Sequence, residues 1–172
     1  MDKSKIVIIE NRDEEFEDLK SVINEEFYEI KRYITIQNYI EQNDSIYPKK
    51  IIIDLLNNYK EEDGEERLKE LLTQNLKLVN KIYEKLKIQI VIITKVTTTK
   101  ISDSMTEVGD FLCGMDLKWV VRRIMRNKNT GLRIFESENL LILSKPYLKG
   151  GVLDDAKMDS YKQIIKDIVE NE

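Results

Sequence analysis

Histidine is absent from this sequence. Its absence excludes a Ser-His or Cys-His nucleophile pair, an imidazole metal site and a histidine general base. Cysteine occurs once, as Cys113, so no internal disulfide can form; the chain is not a disulfide-scaffolded secreted module, and a reducing cytoplasm is its natural home. Glycine and proline are scarce, at 6 and 2, and neither an internal repeat nor a low-complexity linker interrupts the chain. No window approaches the ~20 apolar residues of a membrane span. The opening MDKSKIVIIENRDEEF has too short an apolar stretch for a signal-peptide core. Charge of one sign is also lacking: 28 Lys+Arg against 32 Asp+Glu leave a formal net charge of -4, which gives no global field to recruit nucleic acid or anionic membrane. Chemistry here must use carboxylates, hydroxyls, lysine or a metal held by oxygen.

The 172 residues are 41% hydrophobic and 35% charged, which suits one domain over 1–172 with a real core and a charged surface. KIVIIE (5–10) predicts a strand and NRDEEFEDLKSVINEEF (11–27) an amphipathic helix, with Phe16, Leu19, Val22 and Ile23 at helical spacing. YITIQ (33–37) predicts a strand and NYIEQNDSIYP a short helix stopped by Pro48. KIIIDLL (50–56) and IQIVIIT (88–94) predict buried strands, separated by a long helix over 65–87. GDFLCGMDLKWVVRRIMRN predicts a helix, LRIFESEN a short strand or irregular return, LLILSKPYL (140–148) a strand, and AKMDSYKQIIKDIVENE the terminal helix. Alternation of this kind implies a parallel sheet with helices on both faces.

In such a sheet functional groups collect at the carboxyl ends of the strands. Four ends carry polar residues: Glu10 with Asn11, Asp54, Thr94 and Lys145. Acids there can hold a hard cation such as Mg2+, a hydroxyl and an ammonium can hold phosphoryl oxygens, and a carboxylate can itself form an acyl phosphate. Each residue alone has a plainer reading. Asp54 can cap a loop, Asn11 can cap the first helix, Thr94 is an ordinary strand residue, and Lys145-Pro146 can be an exposed strand exit. Their joint occurrence in chain order is what points to phosphoryl chemistry.

That order, IVIIEN, IIIDLL, VIIT and LILSKP, resembles the receiver domain of two-component response regulators, over nearly the whole chain apart from an enlarged segment at 95–139. The resemblance implies a flavodoxin-like α/β fold, a three-layer sandwich around a mostly parallel five-stranded sheet. It implies Asp54 as phosphoryl acceptor, Thr94 as switch hydroxyl and Lys145 as phosphoryl-binding cation. Mg2+ would lie near Glu10, Asn11, Asp13 and Asp54, with the backbone carbonyl of Leu56 as a further ligand. The partners implied are a histidine kinase, a phosphotransfer protein or an effector protein. EDGEERLKEL also resembles the family's Asp-Gly entry to its third helix. Three departures stand out: Glu-Asn replaces the usual two acids, Lys95 follows the switch hydroxyl where a small residue is usual, and Ile142 occupies the place of the rotating aromatic.

Two functional classes follow. One is a signalling module phosphorylated on Asp54, whose only catalysis is self-phosphorylation and slow autodephosphorylation. The other is a pseudo-receiver that binds a protein or nucleic acid without phosphoryl chemistry. A haloacid-dehalogenase-like phosphatase would need an acid at position 56, which is leucine, and no phosphate-binding glycine loop is present. Within DLKWVVRRIMRNK, Lys118, Arg122 and Arg126 fall at i, i+4 and i+8, with Arg123 beside them. On a helix they form a solvated face, or alternatively a docking surface for an acidic protein or a nucleic-acid backbone.

Overall fold

The computed structural model describes residues 3–42, 47–56, 60–94, 123–126, 133–136, 140–145 and 154–171. The chain divides into two compact units, 1–90 and 91–172.

In the first unit β1 (Ser4–Ile9) leads to α1 (Asp13–Ser21), β2 (Tyr28–Tyr33), α2 (Ile36–Glu41) and β3 (Lys50–Asp54). A 3-10 turn (Glu61–Asp63) then opens into α3 (Gly64–Leu86). The strands lie in the order β2-β1-β3. Both pairings are parallel: Ile6 stands opposite Ile30 on one side and Lys50 on the other. Parallel neighbours need a crossover long enough for a helix, and α1 and α2 occupy those connections. Ile6, Ile8, Ile9, Ile51, Ile52 and Ile53 are fully buried, as expected of strands covered on both faces. Phe16 and Leu19 of α1, Ile36 of α2, and Leu71, Leu76, Val79 and Ile82 of α3 complete the unit's core. At the entry to α3, Gly64 has φ 78, a conformation that a Cβ would disfavour.

The second unit opens within β4 (Ile90–Thr94), and contains β5 (Arg123–Arg126), β6 (Arg133–Glu136), β7 (Leu140–Ser144) and α4 (Asp155–Glu170). Its strand order is β4-β7-β6-β5. β5 with β6 and β6 with β7 are antiparallel, with Ile124 opposite Phe135 and Phe135 opposite Ile142. Val91, Ile92, Ile93 and Leu143 are buried, as are Tyr161, Ile165 and Val169 at four-residue spacing on α4.

Three expectations need correction. The second strand lies at Tyr28–Tyr33, five residues before the predicted YITIQ. Thr35 is drawn instead into capping α2, its Oγ1 accepting the Asn38 N–H at 3.0 Å. Residues Arg123–Arg126 form a strand rather than the end of a helix, so Arg123 and Arg126 do not share a helical basic face. The physical reason lies in the flanking sequence: β-branched Val120, Val121 and Ile124 precede NKNTG, and that turn-forming composition favours a hairpin. β5 and β6 also take the number of strands beyond the expected five. Lys118 and Arg122 lie outside the described residues, as do Lys95, Cys113 and Trp119. Among the described residues no helix is long and apolar enough to cross a membrane.

Candidate functional site

The end of β3 sets the position of Asp54. The apolar run IIID buries it to 2% exposure, and a buried carboxylate is costly unless its oxygens are bonded. Oδ1 accepts the Leu56 backbone N–H at 3.1 Å. The turn that follows is fixed from α3, where the Asn75 side-chain amide donates to the Leu55 carbonyl at 2.6 Å. Asp54 therefore points from a braced backbone.

Glu10 ends the neighbouring β1 and is 0% exposed. Its N–H donates to the Tyr33 carbonyl at 3.0 Å, and its Oε1 accepts the Arg12 N–H at 3.0 Å. Glu15 lies in the first turn of α1, where acids complement the helix dipole and side chains lean back toward the helix start. That lean carries Glu15 to the strand ends. One carboxylate oxygen from each of Glu10, Glu15 and Asp54 lies within 4.8 Å of the others.

Two arginines organise this acidic group. Arg12 reaches all three acids: its Nη2 is bonded to Glu15 Oε1 and stands 3.9 Å from Asp54 Oδ2, and its Nε stands 3.9 Å from Glu10 Oε1. Arg32 of β2 holds the loop between β1 and α1. Its Nε donates to the Glu10 carbonyl at 3.0 Å, Nη2 to the Asn11 carbonyl at 3.1 Å, and Nη1 to Asp13 Oδ1 at 2.6 Å. The guanidinium also stacks over the Phe16 ring, 4.6 Å from its centroid, a favourable cation-π placement.

Of the residues singled out from sequence, the first unit thus brings Glu10 and Asp54 together. Asn11 contributes its carbonyl to Arg32, Asp13 is exposed and paired with Arg32, and Leu56 offers its N–H to Asp54. Thr94 and Lys145 both belong to the second unit, buried to 5% and 2%, with the Lys145 N–H donating to the Thr94 carbonyl at 3.0 Å. Sequence reasoning missed Glu15 and Arg12. The acid-rich ENRDEEF held the signal, because a helix starting at Asp13 returns the side chain of residue 15 to the loop.

The donor set suits a hard divalent cation. Carboxylate oxygens from three separate positions converge, and such oxygen donors are the kind that a hard cation such as Mg2+ takes. Together the three acids carry more negative charge than one guanidinium offsets.

No family model matches the chain, and no curated protein matches it. Among solved structures it is similar to the phosphorylated cyanobacterial phytochrome response regulator RcpA. The identity is 14% and the TM-score 0.52, over 98% of this chain and 93% of that chain. A response regulator from Thermotoga maritima aligns at 11% identity and TM-score 0.46, covering 95% and 98%. A signal receiver domain from Vibrio parahaemolyticus aligns at 15% and 0.47, covering 99% of each chain. The fold is that of response-regulator receiver domains, the flavodoxin-like α/β arrangement.

Proposed function

We propose that this chain is a receiver-like signalling module that accepts a phosphoryl group on Asp54, with Mg2+ held by Glu10, Glu15 and Asp54. The observation that carries the reading is the buried Asp54 carboxylate sharing a 4.8 Å cluster with two other acids, at the strand end where the resemblance puts the acceptor. In the reaction a carboxylate oxygen of Asp54 attacks phosphorus. The bond from phosphorus to a donor imidazole breaks, and the imidazole leaves with the electron pair and takes a proton from solvent. The product is a mixed anhydride that water later hydrolyses. When bound, the cation supplies charge neutralisation for the phosphoryl oxygens.

The chain's own residues do the positioning. Leu56 N–H holds Asp54 Oδ1 and thereby orients Oδ2 toward the cluster. Glu15 is a better-placed ligand than Asp13, whose carboxylate is exposed and lies outside the three-acid cluster. The resemblance gives Thr94 and Lys145 the roles of hydroxyl and cation for phosphoryl oxygens, which Thr94→Ala and Lys145→Met test separately. A cytoplasmic phosphohistidine protein is the donor in this reading, and an effector protein receives the signal.

A pseudo-receiver without phosphoryl chemistry is the second reading, favoured by the cationic Arg12 already facing the cluster. Intact mass after incubation with Mg2+ and acetyl phosphate separates the two. A single phosphoryl adduct on the wild type, missing from Asp54→Asn, is expected; its absence from both, with weak or absent Mg2+ binding as well, would favour the second reading.

A further inference from the structure

Arg12 is the feature that a cation site does not require. Three carboxylates converge, and one guanidinium already spans them: it bonds Glu15 and stands 3.9 Å from both Glu10 and Asp54. Glu10 and Asp54 are buried and Glu15 is half-buried, with side-chain exposures of 0%, 3% and 16%. Arg12 retains 38%, so it covers the cluster from the solvent side on a long, rotatable stem. Without a counter-charge the three acids would repel one another at short range in a poorly solvated place. A divalent cation entering the cluster would meet a like charge within a few ångströms. The guanidinium and the cation therefore exclude each other.

We propose that Arg12 is a built-in counter-ion: it offsets part of the negative charge of the Glu10-Glu15-Asp54 cluster in the cation-free protein and must swing toward solvent before a divalent cation binds. This rests on reading the cluster as the cation site. Arg12 then weakens cation affinity and stabilises the cation-free protein, so the acceptor carboxylate becomes competent only above a threshold of free cation. The partial exposure of the Arg12 side chain makes the swing feasible, because part of it already faces solvent. Arg32 cannot substitute, being committed to the loop carbonyls.

Calorimetric titration of the full chain with MgCl2 and MnCl2, at ionic strength matched with KCl, tests this on wild type and Arg12→Gln. Arg12→Gln is expected to bind either cation about tenfold tighter, the size of one unit charge removed at such separations, and to melt lower without cation while regaining the difference with it. Equal affinities in the two proteins would overturn the counter-ion role and leave the cation site standing. No binding by either protein would overturn both. Where the variant fails to fold without cation, the wild type decides: its Arg12 side-chain Nε–H resonance is expected to shift and exchange faster with water as Mg2+ is added. A resonance unmoved at saturation would overturn the proposal.

Discussion

β2 and β3 flank the same strand in parallel register, yet they hold the molecule together by different means. Every residue of β3 is buried, whereas β2 has one buried residue, Tyr33, and otherwise half-exposed or exposed positions. β3 contributes through apolar area removed from water. β2 contributes through long charged side chains: Lys31 over the Tyr33 ring, Lys5 paired with Glu29, and Arg32 on the loop that carries Glu10. The first strand sets where the Asp54 carboxylate is. The second sets the shape of the loop opposite it.

The contrast is tested most severely in β3. Ile52→Ala removes a fully buried side chain and is expected to cost about 2–5 kcal/mol, as a cavity in a packed core does. Urea unfolding checks this; a loss below about 1 kcal/mol would mean that the site around Ile52 collapses to fill the space. In β2 the sharpest change is Arg32→Ala. It leaves the Glu10 and Asn11 carbonyls without their guanidinium donor, at about 2 kcal/mol once the exposed Asp13 pair is discounted. Arg32→Lys is expected to recover little of this, since an ammonium cannot reproduce the fork that spans two carbonyls and a ring face. Full recovery by lysine would show that charge alone, not geometry, holds the loop. Thr35→Ala, just after β2, removes the cap of a six-residue helix and is expected to cost about 1 kcal/mol, read from the same unfolding curves.

This division also explains what could be seen in advance. β1, β3 and β4 are continuous runs of β-branched residues, and that pattern gave their positions to within a residue or two. YEIKRY carries three charges in six residues, and its more apolar neighbour YITIQ drew the assignment away. The hairpin strands β5 and β6 are four residues each, too short for a two-residue period to outweigh the helical spacing of Lys118, Arg122 and Arg126, the last of which lies in β5 itself. At the site, Glu10 and Asp54 were legible because strand ends are fixed by the apolar runs that precede them. Glu15 was not, because its place depends on where α1 begins, and helix starts shift by one or two residues without changing the pattern. Arg12 was invisible for a related reason: an arginine beside acids reads as surface charge until the burial of those acids is known.

One residue of β3 breaks the comparison from within. Lys50 opens the strand, ahead of its apolar run Ile51–Ile53, and is itself 5% exposed. Burial, with Lys49 adding repulsion, holds its pKa below the ordinary 10.5. At neutral pH the lysine is protonated in the unfolded chain and disfavoured as a cation in the fold. As pH rises through the folded pKa toward 10.5, the unfolded chain binds more protons than the folded one, and stability increases across that window. Above it the contribution is constant. The smallest effect expected is therefore a change of slope: wild type should gain stability relative to Lys50→Met as alkali is approached, because the variant has no proton to lose there. Urea midpoints of both proteins from about pH 7 to pH 11 measure the difference. Parallel curves would mean that Lys50 titrates as it does in water, with its ammonium reaching solvent past the strand end, and that β3 is less completely dry than its apolar run implies.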